Sequence, residues 1–116
     1  MTIPVLCYHS VNETYNDELD SLHPAVFESH LRFLVESYSI VPLRDVAEHL
    51  KTGRALPPNA VSITFDDGYR DNYEVVLPLL EKYEVHATIF VVPDFINNNV
   101  NLINEPGWEA ISWDQL

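Results

Sequence analysis

The chain has 116 residues, enough for one domain, and its 47% hydrophobic and 21% charged content is typical of a globular protein rather than a disordered one. The 18 Asp and Glu residues outnumber the 6 Lys and Arg residues, giving a formal net charge of -12. Such a charge repels phosphate backbones and anionic lipid headgroups, so we expect no nucleic acid partner. Neutral or cationic ligands and divalent metals remain compatible with it.

The apolar patterns predict a series of short strands and helices. In chain order they are a strand at 3–8, a loop at 10–22, helices at 24–37 and 43–50 around a short strand at 38–42, a strand at 61–65, a helix at 70–83, a strand at 86–92 and a loop at 93–107. Pro78 lies inside the third helix and should kink or split it. This order predicts an α/β protein with parallel strands.

The single cysteine, Cys7, and the amino-terminal sequence are informative about the cellular location of the protein. A single cysteine forms no internal disulfide, and the apolar surroundings of Cys7 predict a buried side chain. No stretch approaches the ~20 apolar residues of a membrane span, and no signal peptide is visible. We therefore expect either a cytoplasmic chain or one whose export signal has been removed.

The last residues predict the start of a helix. Ser112 and Gln115 have the spacing of a capping box, in which the first residue caps the helix and the fourth reaches back to it. Only one residue, Leu116, follows this predicted helix start, and a helix that short is not stable. We therefore expect the natural chain to continue past Leu116.

Two adjacent acids, Asp66 and Asp67, follow the clearest strand. Alternation along that strand puts Ile63 and Phe65 on one face and Asp66 on the other. The apolar face suits helices outside a parallel barrel, so we expect Asp66 to point across the barrel mouth. Gly68 can adopt backbone conformations closed to other residues, so a turn there can bring Asp67 to the same mouth, where ligand sites of parallel folds lie.

A cation would explain this pair of acids. Two carboxylates so close together repel each other unless a proton or a metal lies between them. A divalent metal is the natural counterion, with one Asp as its ligand and the other free as a base. The tripeptide Asp66-Asp67-Gly68 alone is also a common turn sequence, and the preceding strand makes it specific.

Three segments resemble one known family. Thr64-Phe65-Asp66-Asp67-Gly68 looks like the first signature motif of the polysaccharide deacetylase family, which shares the chitooligosaccharide deacetylase (NodB-type) homology domain. Residues 4–10 resemble the amino-terminal Tyr-His segment of a subgroup that includes enzymes acting on poly-N-acetylglucosamine. Residues 87–91 resemble the strand that follows the first motif.

The resemblance implies a fold and a reaction. The fold is a partial (β/α) barrel with parallel strands, with residues 1–116 as the amino-terminal portion of a single domain. The reaction is metal-dependent hydrolysis of N-acetyl or O-acetyl groups on a carbohydrate polymer, the expected partner. By their positions in the motifs, Asp66 matches the catalytic base, His9 the general acid and Asp67 a metal ligand. His9 ends the first strand, and parallel strands end at the same face, so His9 and Asp66 can share a mouth.

The metal implied by the resemblance is divalent, with Zn²⁺ as the expected ion. The family supplies two metal-binding histidines in a second motif of the form His-Ser/Thr-x-x-x-His, which normally follows a segment like residues 112–116. A catalytic zinc usually has three protein ligands, and this chain offers Asp67 alone. We therefore expect two histidine ligands beyond Leu116. The remaining histidines, His23, His30, His49 and His86, are expected to serve structure.

Two alternatives remain open. A catalytically incomplete fragment or a carbohydrate-binding pseudoenzyme would keep the fold without the metal-binding histidines. A phosphotransfer receiver or phosphatase would also place acids at strand ends, but no matching Lys follows residues 92–94 as a receiver needs. Exposed parallel sheet edges predict self-association or pairing with the rest of the barrel.

Overall fold

The computed structural model describes residues 2–14, 21–100 and 107–116. The strands are β1 (Val5–Tyr8), β2 (Ser39–Ile40), β3 (Ala60–Asp67) and β4 (Thr88–Val91), and the α-helices are α1 (Pro24–Ser37), α2 (Leu43–Thr52), α3 (Leu77–Lys82) and α4 (Pro93–Ile96). The predicted loops at 10–22 and 93–107 lie partly outside the described residues. The second of them is wrong in its first four residues, because Pro93 opens α4 at a helical N1 position.

The sheet has β3 at its centre and is parallel throughout, as the element order predicts. β1 pairs with residues 62–65 of β3, and β4 pairs with residues 64–67. Because these two stretches overlap, β1 and β4 lie on opposite edges of β3. β2 pairs with the first residues of β3, Ala60 and Val61. The carboxyl ends of β1, β3 and β4 therefore meet at one end of the sheet.

Helix α1 begins and packs as its sequence predicts. Pro24 occupies the first helical position, and the imidazole of His23 accepts a hydrogen bond of 3.1 Å from the backbone N–H of Ala25. Phe27 and Leu31 are fully buried at i, i+4 spacing. Val35, one helical turn after Leu31, is instead 43% exposed, because it follows the buried Leu34 and so lies off the core-facing side.

Helix α2 buries less than its apolar pattern suggests. Val46 is buried against Val41 and Ala60, which form a small cluster at the start of β3. Leu50, one helical turn after Val46, is 78% exposed. The helix runs two residues past the predicted end to Thr52, and Gly53, whose φ is +76°, provides the left-handed C-cap.

The third helix changes from π-helical to α-helical just before Pro78 and is not broken, since Val76 and Leu77 both keep helical backbone angles. A π-helical turn at Asn72–Val76 leads into α3, and Pro78 lies in the first turn of α3. Proline has no N–H, so its tolerated place is the start of an α-helix. Val76 and Leu80, one helical turn apart, are buried in the main core.

The two faces of β3 differ in chemistry. Val61, Ile63 and Phe65 are buried in the main core with side chains of α1 and α3. Ser62 and Thr64 on the opposite face, here called the inner face, are buried and hydrogen-bonded to backbone carbonyls of neighbouring strands. Asp66 continues this inner face, as alternation predicts.

The outer strands are open on the inner face. Along β1, Leu6 and Tyr8 pack on the main core, whereas Val5 is 46% exposed and Cys7 is exposed. Along β4, Phe90 is 52% exposed. The prediction that Cys7 is buried is therefore wrong, because its side chain lies on the inner face, where the described residues provide no covering layer. Self-association along the strand edges stays a prediction.

No helix in the described part of the chain is long and apolar enough to cross a membrane.

Candidate active site

The two acids lie at the carboxyl end of β3, and both are half-buried. The turn begins one residue earlier than the sequence predicts: Asp67 itself has a φ of +79°, and Gly68 follows with +72°. Aspartate is among the few residues other than glycine that tolerate the left-handed region. The backbone therefore changes direction at Asp67, and the charges of both Asp66 and Asp67 act on the Cys7 thiol.

The turn is fixed by the carboxyl-terminal segment. The N–H of Ile111 donates to the carbonyl of Gly68, and the N–H of Arg70 donates to the carbonyl of Glu109, each at 2.8 Å. A Cβ atom on Gly68 would lie 3.0 Å from Cγ1 of Val91. Residue 68 is therefore restricted to glycine by both its positive φ and its close contact with β4.

His9 and Asp66 lie side by side at the end of the sheet. β1 and β3 pair in a register that sets Tyr8 opposite Phe65. The residues that follow them, His9 and Asp66, are therefore neighbours at the end of the sheet. Ligand atoms of Cys7, His9 and Asp66 all lie within 4.8 Å of one another. The structure thus brings together the residues matched to the general acid and the base, while their roles stay predictions.

The Cys7 thiol joins this group directly. Its Sγ donates a hydrogen bond of 3.4 Å to Oδ2 of Asp66. Partial desolvation raises the pKa of the Cys7 thiol, and the hydrogen bond and negative charge of Asp66 raise this pKa further, with a smaller contribution from Asp67. The thiol therefore holds its proton against the neighbouring carboxylates.

A buried polar network holds the His9 segment in place. The carboxylate of Asp71 accepts hydrogen bonds from the Ser10 hydroxyl at 2.5 Å, the Val11 N–H at 3.1 Å and the Asn72 amide at 3.1 Å. The Asn72 amide also donates to the carbonyl of His9 at 3.0 Å. Burial raises the pKa of the Asp71 carboxyl, and the three hydrogen bonds oppose that shift.

Sequence reasoning missed this network. Asp71 and Asn72 are polar positions that precede the apolar stripe of the third helix, and both are buried. In the sequence they are two short polar residues at the start of a helix. Such residues are common as ordinary helix caps, so this pattern does not indicate a buried network. Their partners, Ser10 and Val11, lie about sixty positions away.

The other described histidines have structural partners or lie apart from the site. His23 caps α1, and His30 Nδ1 is hydrogen-bonded to the Tyr8 hydroxyl at 3.1 Å. His49 Nδ1 lies 2.6 Å from the carbonyl oxygen of Arg54 and donates to it. His86 is exposed just before β4, at the opposite end of that strand from the site.

The aromatic residues near the turn differ in burial. Tyr69 and Trp108 are 1% and 3% exposed and pack with Phe95. Burial raises the pKa of Tyr69 to about 12, and the charges of two nearby aspartates add to the shift. Tyr69 and Trp108 therefore serve the core, whereas Trp113 is 53% exposed and donates a hydrogen bond of 2.8 Å from its indole N–H to Oδ1 of Asn97.

The described residues do not complete the metal site that the resemblance implies. Asp67 does not belong to the group of potential cation ligands formed by Cys7, His9 and Asp66. That group contains one histidine, and its carboxylate comes from Asp66, the residue matched to the base. The expected set of one Asp and two His therefore does not form within the described part of the chain.

A parallel sheet flanked by helices, with two acids at the carboxyl end of its central strand, defines an α/β protein of the barrel-forming class. A family model described as polysaccharide deacetylase matches residues 53–112. The chain belongs to the polysaccharide deacetylase family. This membership removes the phosphotransfer alternative.

Known relatives extend the match across most of the chain. The Bacillus subtilis (strain 168) protein YxkH, named as a polysaccharide deacetylase, is 32% identical over 104 residues, which cover 89% of this chain and 36% of that protein. The poly-beta-1,6-N-acetyl-D-glucosamine N-deacetylase of Escherichia coli (strain K12) is 30% identical over 81 residues, 68% of this chain and 12% of the relative. The chain thus spans about a third or less of these relatives.

The fold has a solved counterpart. The structure of a de-N-acetylase from Aggregatibacter actinomycetemcomitans superposes with a TM-score of 0.80 at 26% sequence identity, covering 97% of this chain and 48% of that one. The predicted fold class, a partial (β/α) barrel of the deacetylase type with parallel strands, is confirmed.

Proposed function

We propose that this chain supplies the amino-terminal part of the active site of a hydrolase that removes N-acetyl groups from a carbohydrate polymer. The close approach of His9 and Asp66, with ligand atoms within 4.8 Å of each other, carries this proposal. Amide hydrolysis needs a base at the attacking water and an acid at the leaving amine. A carboxylate and an imidazole at neighbouring strand ends suit these two tasks.

In the proposed reaction, the Asp66 carboxylate accepts a proton from a water molecule whose oxygen attacks the acetyl carbonyl. The tetrahedral intermediate collapses, the C–N bond breaks, and the His9 imidazolium donates its proton to the departing nitrogen. The products are acetate and a free amine on the sugar. Each positioned proton transfer contributes about 10²–10⁴-fold to the rate.

The polar network supports this assignment by holding the acid. Asn72 donates to the His9 carbonyl, and Asp71 accepts from Ser10 and Val11 on the next two positions. The His9 segment is therefore tied to the helix that follows the acidic turn. Catalytic groups need placement within about 0.5 Å, and such supporting hydrogen bonds provide it.

We propose β-1,6-linked N-acetylglucosamine polymer as the substrate, because the Escherichia coli relative carries the name of an N-deacetylase of that polymer. A neutral polymer is not repelled by a chain with a net charge of -12. Chitin-like glycans, peptidoglycan and O-acetylated polymers are the competing substrates.

The metal is a separate proposal. Asp67 would supply one carboxylate ligand to Zn²⁺, and two further ligands would come from outside the described residues. A bound zinc would polarise the acetyl carbonyl. Metal content of the full-length gene product tests this point: one Zn²⁺ per chain in the wild type and its loss in Asp67→Asn are expected. A metal-free, active protein would contradict it.

Acetate release tests the function. The 116-residue chain, and any longer chain that its gene encodes, are incubated with acetylated β-1,6-linked glucosamine oligomers, chitooligosaccharides and O-acetylated xylan. We expect acetate and free amine in equal amounts from the first substrate. Absence of acetate from all three, in both proteins, removes the proposal.

A carbohydrate-binding protein without catalysis is the second candidate. Among the described residues, Asp67 joins no group of three potential cation ligands, which favours this second candidate. Equilibrium binding of the same oligomers distinguishes the two candidates, because a binding protein retains the oligomer fully acetylated.

A further inference from the structure

Three side chains of different chemistry converge at the end of β1 and β3. They are the Cys7 thiol, the His9 imidazole and the Asp66 carboxylate, and one ligand atom from each lies within 4.8 Å of the other two. The proposed hydrolysis uses His9 and Asp66 but gives no task to Cys7. The thiol nevertheless points at the carboxylate and lies 3.4 Å from its Oδ2 atom.

The spacing fits a metal ion. Zinc binds sulfur at about 2.3 Å and carboxylate oxygen at about 2.0–2.2 Å, so a tetrahedral site separates these two ligand atoms by about 3.6 Å. The observed distance from Cys7 Sγ to Asp66 Oδ2 is 3.4 Å. The imidazole of His9 lies close enough to become the third ligand with a small adjustment of its side chain.

We propose that Cys7, His9 and Asp66 form a binding site for a thiophilic divalent cation, Zn²⁺ or Cd²⁺, distinct from the site that the family resemblance assigns to Asp67. Thiolate and imidazole ligands select borderline and soft metals over Mg²⁺ and Ca²⁺. Three protein ligands leave the fourth tetrahedral position to water.

Access and charge both favour the cation. Cys7 is exposed, so an ion reaches the site from solvent without any rearrangement of the core. The chain carries a net charge of -12, which raises the local concentration of cations. On binding, the thiol gives its proton to water, and the metal–sulfur bond replaces the hydrogen bond from Cys7 to Asp66.

The site has a consequence for catalysis that rests on the proposed function. A cation held by His9 and Asp66 occupies the proposed acid and base together. Thiophilic cations bound at this site therefore compete with deacetylation rather than support it. The proposed Asp67 metal site would act in the opposite direction.

Cadmium titration of the purified protein tests the site without reference to activity. Cadmium bound to a thiolate has an ultraviolet charge-transfer band, which reports on Cys7, the single cysteine of the chain. We expect the band in the wild type and none in Cys7→Ser. Asp66→Asn and His9→Gln should each weaken cadmium binding by about tenfold or more.

Asp67→Asn is the matched control, since it changes the adjacent acid and asparagine tolerates the positive φ of +79°. It should change the cadmium dissociation constant by less than about fivefold, the size of a screened charge interaction. Absence of the band in the wild type would overturn the proposal. Equal affinity of the wild type, Asp66→Asn and His9→Gln would also overturn it, by showing binding to the thiol alone. Neither outcome depends on whether the protein releases acetate.

Discussion

The side-chain amide of Asn72 donates a hydrogen bond of 3.0 Å to the backbone carbonyl of His9, across 63 positions of the chain. Asn72 is 1% exposed, so the donor side of this bond lies in the interior. It connects the helix after the acidic turn to the segment that carries the proposed general acid. The placement of His9 therefore depends on a residue outside every motif that the sequence suggested.

Asn72→Ala should lower the free energy of unfolding by about 1–3 kcal/mol, because it removes the hydrogen bonds that the buried Asn72 amide donates to the His9 carbonyl and the Asp71 carboxylate. Urea unfolding measures the change. Asn99→Ala, at an exposed position with one long hydrogen bond of 3.4 Å to Asp94, is the control and should stay within about 0.5 kcal/mol. Equal effects of the two substitutions would contradict the buried tether.

The buried carboxyl of Asp71 should make stability depend on pH. Burial raises its folded-state pKa above the ordinary value of 3.8, so the native state keeps a proton that the unfolded state releases. Stability should therefore fall as pH rises from 3.8 through the folded-state pKa, and stay level above it. Asp71→Asn lacks this titration.

The stability of the wild type minus that of Asp71→Asn, measured by urea unfolding across this pH range, isolates the effect. A difference that decreases with rising pH agrees with the buried, proton-holding carboxyl. A difference that increases with pH would show instead that the hydrogen bonds from Ser10, Val11 and Asn72 outweigh burial.

The hydroxyl of Tyr69 is buried and has no hydrogen-bond partner among the described residues. Tyr69→Phe should leave the free energy of unfolding unchanged or raise it by up to about 1 kcal/mol, because it removes an unpaired polar group. Tyr83→Phe is the matched comparison. The Tyr83 hydroxyl donates to Glu28 at 2.8 Å, so its removal should be destabilising. Thermal unfolding of both variants measures the two changes in stability. A loss of stability in Tyr69→Phe as large as that in Tyr83→Phe would show that the Tyr69 hydroxyl has a hydrogen-bond partner outside the described residues.

Gly68→Ala should be more destabilising than Gly53→Ala. Both glycines have positive φ, +72° and +76°, which costs a residue with a Cβ about 1–2 kcal/mol. At Gly53 nothing lies within 4 Å of the added Cβ, whereas at Gly68 it meets Val91 at 3.0 Å. Overpacking should add about 1–3 kcal/mol at Gly68. Chemical denaturation of the two variants gives the comparison, and equal losses would mean that Val91 moves aside freely.

The parts of the fold that local patterns determine could be predicted from the sequence. Phe27 and Leu31 lie one helical turn apart and are buried, and Gly53 ends α2 with a positive φ. The neighbourhood of His9 and Asp66 was also predictable, because parallel strands align their carboxyl ends.

Features that depend on distant partners could not be predicted. The apolar residues around Cys7 predict that its side chain is buried. Burial on the inner face of the sheet depends on which other segments cover that face, and the residues next to Cys7 do not indicate this. The sequence predicts the turn at Gly68, because glycine is the usual candidate for a positive φ, whereas the backbone already turns at Asp67. The partners of Asp71 are fixed by the path of the chain after β1, which the sequence leaves open.

The central claim is that Asp66 acts as the base of an acetyl hydrolase. The most direct measurement is the rate of acetate release from acetylated β-1,6-linked glucosamine oligomers by the full-length gene product and its Asp66→Asn variant. Asp114→Asn, at an exposed position of the final turn, is the control for removing one acid. We predict a loss of about 10²–10⁴-fold for Asp66→Asn and no change for the control. A folded Asp66→Asn protein that releases acetate at the wild-type rate would contradict the account.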